Sequence, residues 1–225
     1  MTDGSAARTE GEKEAAAYAA AELVEDGMAV GLGTGSTVAY LLAALARRRL
    51  GKTGFAASSP ATELAARNLG LRVLSLQELS GRLDITIDGA DQVAADGWLV
   101  KGGGGAHVRE KVLAAAAARF VVIVSENKLK DALGPPVPLE LTPFAAPYAL
   151  RALAPTELRE APRSPDGNLI ADYVGEIGDP RALAARLSAT PGVLDHGLFA
   201  PELVSEILIG TPSGVERRPG SQSGT

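Results

Sequence analysis

Apolar positions along the chain fall in short runs separated by Ala/Leu-rich stretches of helical period, the alternation that builds crossover units on a mostly parallel sheet. A first helix is predicted from about Glu12 to Val24. Asp26-Gly27 then turns the chain into a strand, Met28 to Leu32, which is followed by a glycine-rich loop and a helix, Val38 to Arg48. A second strand, Gly54 to Ala57, stops at Ser58-Ser59-Pro60, where a helix starts that carries Leu64 and Leu69 and ends at Gly70. Next come a strand at Leu83 to Ile87, a turn at Asp96-Gly97, a short strand at Trp98 to Val100, an Ala-rich helix reaching Arg119 and a strand at Phe120 to Val124.

From Pro135 the texture changes. The order becomes strand (Val137 to Thr142), helix (Pro147 to Leu153), a weak strand near Arg159, strand (Asn168 to Val174), helix (Pro180 to Ser188) and strand (Val193 to Phe199). The expected fold is therefore α/β: a Rossmann-like, mostly parallel open sheet with a second, smaller α+β domain of βαββαβ, ferredoxin-like order. The run Val204 to Ile209 is apolar enough to return to the first sheet. Residues 11–134 plus 203–216 are assigned to the sheet domain and 135–202 to a small lid or oligomerisation domain. Residues 1–10 and 217–225, small, polar and glycine-rich, are read as flexible tails.

Composition narrows the function. At 225 residues the chain can bury a substantial core. A net charge of -5 with 4% aromatic residues supplies neither a basic stripe for a phosphate backbone nor a stacking surface, so nucleic acid is not an expected partner. The absence of cysteine removes disulfides, thiolate metal sites and a cysteine nucleophile, and points to the cytoplasm. No secretory signal or membrane span is expected, the apolar runs being too short.

Three segments carry candidate chemistry. GLGTGST, Gly31 to Thr37, follows a strand and opens a helix, so its amides can face an anion; Ser36 and Thr37 suit a terminal phosphate better than a pyrophosphate bridge. The plain alternative is a tight turn. DITIDGAD delivers Asp88 to the end of a strand with Asp91 three residues on, and two close carboxylates push their pKa values apart; the alternative is a capping Asp88 and a solvated Asp91. KGGGGAHVREK sets Lys101 before four glycines, a bare backbone that a substrate can approach closely. Glu110 lies two positions from Val108 and Val112, taken here as core, so it falls on the opposite face, either solvent or the active crevice. Arg109-Glu110-Lys111 read alone is a solvated charge run. Lys128, after the Phe120 to Val124 strand, and Lys13 are further candidate cations. His107 and His196, the only histidines, are read as structural, and no metal or other cofactor is expected. A phosphate cradle, two carboxylates, a lysine and a further carboxylate suit proton transfer beside a carbonyl without a nucleophile.

These motifs, together with SSPATELAARNLGL, VSENKLKDALG, PVPLELTPF, PGVLDHGLF and ILIGTPSGV, resemble ribose-5-phosphate isomerase A in order across nearly the whole chain. The resemblance implies interconversion of D-ribose 5-phosphate and D-ribulose 5-phosphate through an enediolate, a step of the non-oxidative pentose phosphate pathway, without a cofactor. Glu110 would move the proton between C1 and C2, and Asp88, Asp91 and Lys101 would assist ring opening and stabilise the oxyanion. Thr34, Gly35, Ser36, Thr37, Gly89, Ala90, Gly102, Gly103, Gly104, Lys128 and Lys13 would contact substrate. A homodimer or homotetramer is implied. Three places depart from the family pattern: Gln92 replaces an acidic residue, Ser164 to Asn168 reads SPDGN rather than TDNGN, and the linker near Pro155 is shortened. Rival readings are a non-catalytic sugar-phosphate sensor, which would not need Glu110, and a coenzyme A transferase or amino-sugar-phosphate deaminase, whose own catalytic groups are not evident.

Overall fold

The computed structural model describes residues 3–221. Helix α1 (Asp3–Ala21) is followed by β1 (Ala29–Leu32), α2 (Ser36–Ala46), β2 (Gly54–Ala57), α3 (Pro60–Asn68) and β3 (Leu83–Asp88). Short strands β4 (Gln92–Ala94) and β5 (Leu99–Val100) precede α4 (His107–Ala116), β6 (Ala117–Ser125), a 3-10 turn at Glu126–Lys128 and β7 (Leu129–Lys130). The second half runs β8 (Val137–Leu141), α5 (Ala146–Ala152), β9 (Thr156–Leu158), β10 (Leu169–Tyr173), α6 (Pro180–Ser188), β11 (Val193–His196) and β12 (Leu198–Phe199). A 3-10 turn at Pro201–Leu203, β13 (Glu206–Thr211) and β14 (Gly214–Pro219) complete it.

Six strands form the main sheet in the order β14-β13-β6-β3-β1-β2, all parallel except the antiparallel edge β14. Strands covered on both faces need apolar side chains on both, and β6 shows how the period of two divides them. Val121 and Ile123 join the core beneath α1 and α2, while Phe120, Val122 and Val124 join Phe199 and Val204 on the other face. Small residues set the approach of α1. Ala16, Ala17, Ala20 and Ala21 are buried, and a Cβ on Gly210 of β13 would lie 1.8 Å from the Glu12 carbonyl oxygen. Residues 3–10, read from their composition as a tail, continue this helix toward its N-terminus, and residues 217–219 belong to β14.

The second sheet, β11-β8-β10-β9, is antiparallel throughout, with core residues of α5 and α6 packed against Leu139, Leu141 and Ala171. This is the βαββαβ order expected from the sequence. Two of the differences from the expected elements bear on the site. The Ala-rich helix ends at Ala116, and Ala117 to Arg119 extend β6 by pairing with β3. The single strand expected over Val193 to Phe199 is two strands divided at Gly197: β11 pairs with β8, and β12 pairs with β5 in a small third sheet, β12-β5-β4-β7. Gly197 donates to the Pro138 carbonyl at 2.7 Å and accepts from the Lys101 amide at 2.9 Å, and a Cβ there would lie 2.2 Å from the Lys101 oxygen. The ferredoxin-like module is thus fastened to the backbone of Lys101.

Candidate active site

The loops after β1, β3 and β6 leave the carboxyl edge of the main sheet, and together with the loop after β5 of the third sheet they enclose one cleft, as expected for ligands at the carboxyl ends of parallel strands. Its walls are Lys13 from α1, Thr34 to Thr37, Gly89 to Asp91, Lys101 to Gly104, Glu110 from α4 and Lys128. Every residue to which the family resemblance gives a catalytic or substrate-contact role is in this lining except Asp88, which lies wholly buried behind it.

Glycine makes the first loop possible. A Cβ on Gly33 would lie 1.8 Å from the Asp88 carboxyl carbon, so only a bare backbone fits there. Gly35 precedes α2 at φ 121, a left-handed conformation that favours glycine, and no side chain caps the helix. The first-turn amides therefore stay open to an anion. Thr34 behaves differently from its neighbours. Its hydroxyl turns inward, 2.8 Å from both Ser58 and Ser59 and 3.2 Å from Thr62, while Thr62 donates to the Gly33 carbonyl at 2.9 Å. Ser58-Ser59-Pro60 signals a helix start, but its second task, bracing the cradle from below, has no separate mark in the sequence.

The chemistry end is a buried trio. Lys101 Nζ donates to Asp88 Oδ2 at 2.7 Å and to the Gly89 carbonyl at 2.6 Å, and stands 3.1 Å from Glu110 Oε2. Asp88 Oδ1 accepts from the Thr34 and Gly89 amides at 3.1 and 2.7 Å. Burial pulls Lys101 down, but the carboxylates of Asp88 and Glu110 outweigh it and hold the ammonium above its ordinary range. Burial raises the Asp88 carboxyl against the pull of Lys101 and the two amides. Glu110, only 3% exposed, is raised to about 7, by burial first; Lys101 opposes the rise, and Asp88 and Asp91 add to it. A carboxyl that gains and loses a proton near neutrality, beside a fixed cation, is suited to moving protons.

Helix α4 also corrects the face assigned from its valines. The buried positions are His107, Glu110, Leu113 and Ala114, whereas Val112 is 48% exposed. Glu110 reaches the crevice because it shares the inward face, not because it opposes it. The charge run beside it is not simply solvated: Arg109 forks onto Asp166 at 2.6 to 3.1 Å, and Lys111 donates to Asp195 at 2.5 Å and to the His196 carbonyl at 2.6 Å. Consecutive residues thus grip the second module on either side of the inward carboxyl. Both histidines are buried, and burial pushes each down to about 4. Among the described residues no three His, Asp or Glu side chains gather as a metal-binding group.

Asp91 accepts from the Gly103 amide at 2.8 Å, joining the second and third motifs. At the far rim Lys13 is paired with Glu10 at 2.6 Å, whereas Lys128 forms no ion pair among the described residues.

The model of ribose 5-phosphate isomerase A (phosphoriboisomerase A) matches residues 55–214. The chain belongs to this family. Ribose-5-phosphate isomerase A of Natronomonas pharaonis is 47% identical over 225 residues, covering 93% of this chain and 97% of that one. The Lacticaseibacillus paracasei protein is 44% identical, covering 91% and 94%. Among solved structures, the ribose 5-phosphate isomerase A of Neisseria gonorrhoeae superposes with a TM-score of 0.88 at 32% identity, covering 94% of this chain and 97% of that one. A D-ribose-5-phosphate isomerase in complex with phospho-erythronic acid gives 0.88 at 33%, covering 94% and 99%.

The isomerase-family departures find structural uses. Gln92 forms a reciprocal pair with the backbone of Gly134, donating at 2.7 Å and accepting at 2.8 Å, so an amide rather than an acid is complementary there. In SPDGN, Ser164 donates to the buried Glu140 at 2.6 Å and Asp166 receives Arg109. No helix among the described residues is long and apolar enough to cross a membrane.

Proposed function

We propose that Glu110 carries the proton between C1 and C2 of an open-chain pentose 5-phosphate. The chain is an aldose-ketose isomerase of the ribose-5-phosphate isomerase A family, interconverting D-ribose 5-phosphate and D-ribulose 5-phosphate through an enediolate. The observation that carries the role of Glu110 is its burial in the cleft 3.1 Å from the Lys101 ammonium with its pKa raised to about 7.

The substrate phosphate lies at the α2 N-terminus, held by the amides and hydroxyls of Ser36 and Thr37 and by Lys128 and Lys13. That places the sugar along Gly89 to Asp91 and the glycine run. Lys101 stabilises the negative charge that develops on the sugar oxygens, and Asp91 takes and returns a hydroxyl proton during ring opening. Asp88 does not line the cleft; it positions Lys101 and keeps it charged. A relative seen with phospho-erythronic acid supports a phosphorylated sugar chain as the occupant.

The test is conversion of ribose 5-phosphate to ketose phosphate, assayed in EDTA, with Glu110→Gln alongside. The wild type is expected to turn over, and the variant to lose at least ~10²-fold in kcat with KM less affected. Near-normal turnover of the variant would move the base to another carboxylate. We also assign the enzyme to the cytoplasm, and to a homodimer or homotetramer; the assembly is supported by Phe144, Tyr148 and Leu194, apolar side chains left 47 to 98% exposed on the second module.

A further inference from the structure

Gly103, in the run that lines the cleft, is gripped from both sides. Its amide donates to Asp91 Oδ2 at 2.8 Å, and its carbonyl accepts from Arg159 Nη1 at 2.9 Å. The same nitrogen lies 3.4 Å from the Gly102 carbonyl. The other two nitrogens of Arg159 fork onto Asp172 at 2.8 and 2.5 Å. Arg159 directly follows β9 and its own amide donates to the Ile170 carbonyl at 2.9 Å, while Asp172 lies on β10, so the guanidinium is fixed to the antiparallel sheet before it crosses to the loop.

A run of glycines has more backbone freedom to lose than any other stretch of its length, and left unanchored it would spread the cleft over many shapes. A planar guanidinium already held by a carboxylate is a rigid clamp for a carbonyl. The bond also acts through the peptide group: a cation on the Gly103 oxygen polarises the amide of Gly104, a residue of the cleft wall whose N–H has no protein acceptor among the described residues.

We infer that Arg159, anchored by Asp172, is a positioning residue for the isomerisation, presetting the Gly102 to Gly104 backbone to meet the substrate's oxygen atoms. It deepens the isomerase reading and rests on it. The other bridges between the modules, Arg109 to Asp166 and Lys111 to Asp195, do not touch the glycine run. Arg109→Met therefore serves as a control that cuts a bridge without freeing the loop.

Wild type, Arg159→Met, Arg159→Lys and Arg109→Met are compared by steady-state kinetics on ribose 5-phosphate, thermal midpoint and amide exchange over residues 101–106. Arg159→Met is expected to lose roughly tenfold to a hundredfold in kcat, with faster exchange at Gly103 and Gly104. Added guanidinium ion should restore part of that rate, Arg159→Lys should fall between, and Arg109→Met should keep kcat within about twofold. Wild-type kcat in Arg159→Met, or an equal loss in Arg109→Met, would overturn the inference. Should Arg159→Met fail to fold, Asp172→Asn keeps the arginine but frees it, and wild-type kcat there overturns the inference as well. A wild type inactive on ribose 5-phosphate would instead sink the isomerase reading, while the exchange rates would still report on the loop.

Discussion

At the Gly35 to Thr37 end the cleft offers uncapped backbone amides, two hydroxyls and the half-buried lysines Lys13 and Lys128; at the other end Lys101 and Glu110, with Asp88 behind them, are almost wholly removed from water. On the proposed reading, an anion that must come and go is met by backbone dipoles, hydroxyls and partly exposed cations whose desolvation costs less than that of a buried ion. A proton that must move at neutral pH needs a carboxyl lifted out of its ordinary range, and burial, with Asp88 and Asp91 adding to it, lifts Glu110 there against the pull of Lys101. Under the proposed function, one cleft thus combines a more open end for binding with a desolvated end for reaction.

The sharpest break of that contrast is Lys101→Met, which strands two buried carboxyls without their cation. Removing one partner of such a group costs about 3–5 kcal/mol, so calorimetry should show the thermal midpoint falling by roughly 10 °C or more. Activity should fall with it, since the oxyanion loses its cation. An unchanged midpoint would mean that the buried charges contribute nothing to the fold.

The pH dependence separates the two ends on one plot. The proposed base, Glu110, can act only as the carboxylate, and its pKa is raised from 4.5 to about 7. The active form is therefore lost as pH falls through about 7, and log kcat/KM should drop with unit slope below that point, about tenfold per pH unit. A phosphate monoester titrates near pH ~6, so a second bend should appear there and belong to the binding end. A single inflection near the ordinary glutamate value would show that burial does not tune this base.

How much of this was legible in the sequence differs between the ends in the same way. Strand-loop-helix punctuation predicts the loop at Gly31 to Thr37, and the chain does pass there from β1 into α2. DITIDGAD is equally readable, since alternation along β3 carries Asp88 to the functional edge. Helix α4 misleads, because a reading of periodicity takes valine as inside and glutamate as outside, and a reacting site inverts that rule: Glu110 and His107 are buried while Val112 is half exposed. Arg159 is out of reach for a different reason. Its importance comes from a bond to Gly103, 56 positions away, across two modules, and no local pattern encodes that. The strands β4, β5 and β7 are two or three residues long, and only their pairing makes them a sheet.

The smallest expected effect belongs to the open end, and it is the one that most directly tests the contrast. Lys128 lines the cleft, forms no ion pair among the described residues and stands at the close of a 3-10 turn after β6, so its ammonium is available to a phosphate. A partly exposed contact of that kind is worth about 1 kcal/mol and acts equally on ground and transition states. Lys128→Met should therefore raise KM by roughly fivefold and leave kcat within a factor of about two. Added salt should raise the wild-type KM in the same sense, because exposed charges are screened, and should spare kcat, because the Asp88, Lys101 and Glu110 group is shielded from counterions. A fall in kcat at constant KM would place Lys128 with the reacting group instead, and the two ends of the cleft would no longer be separable in their work.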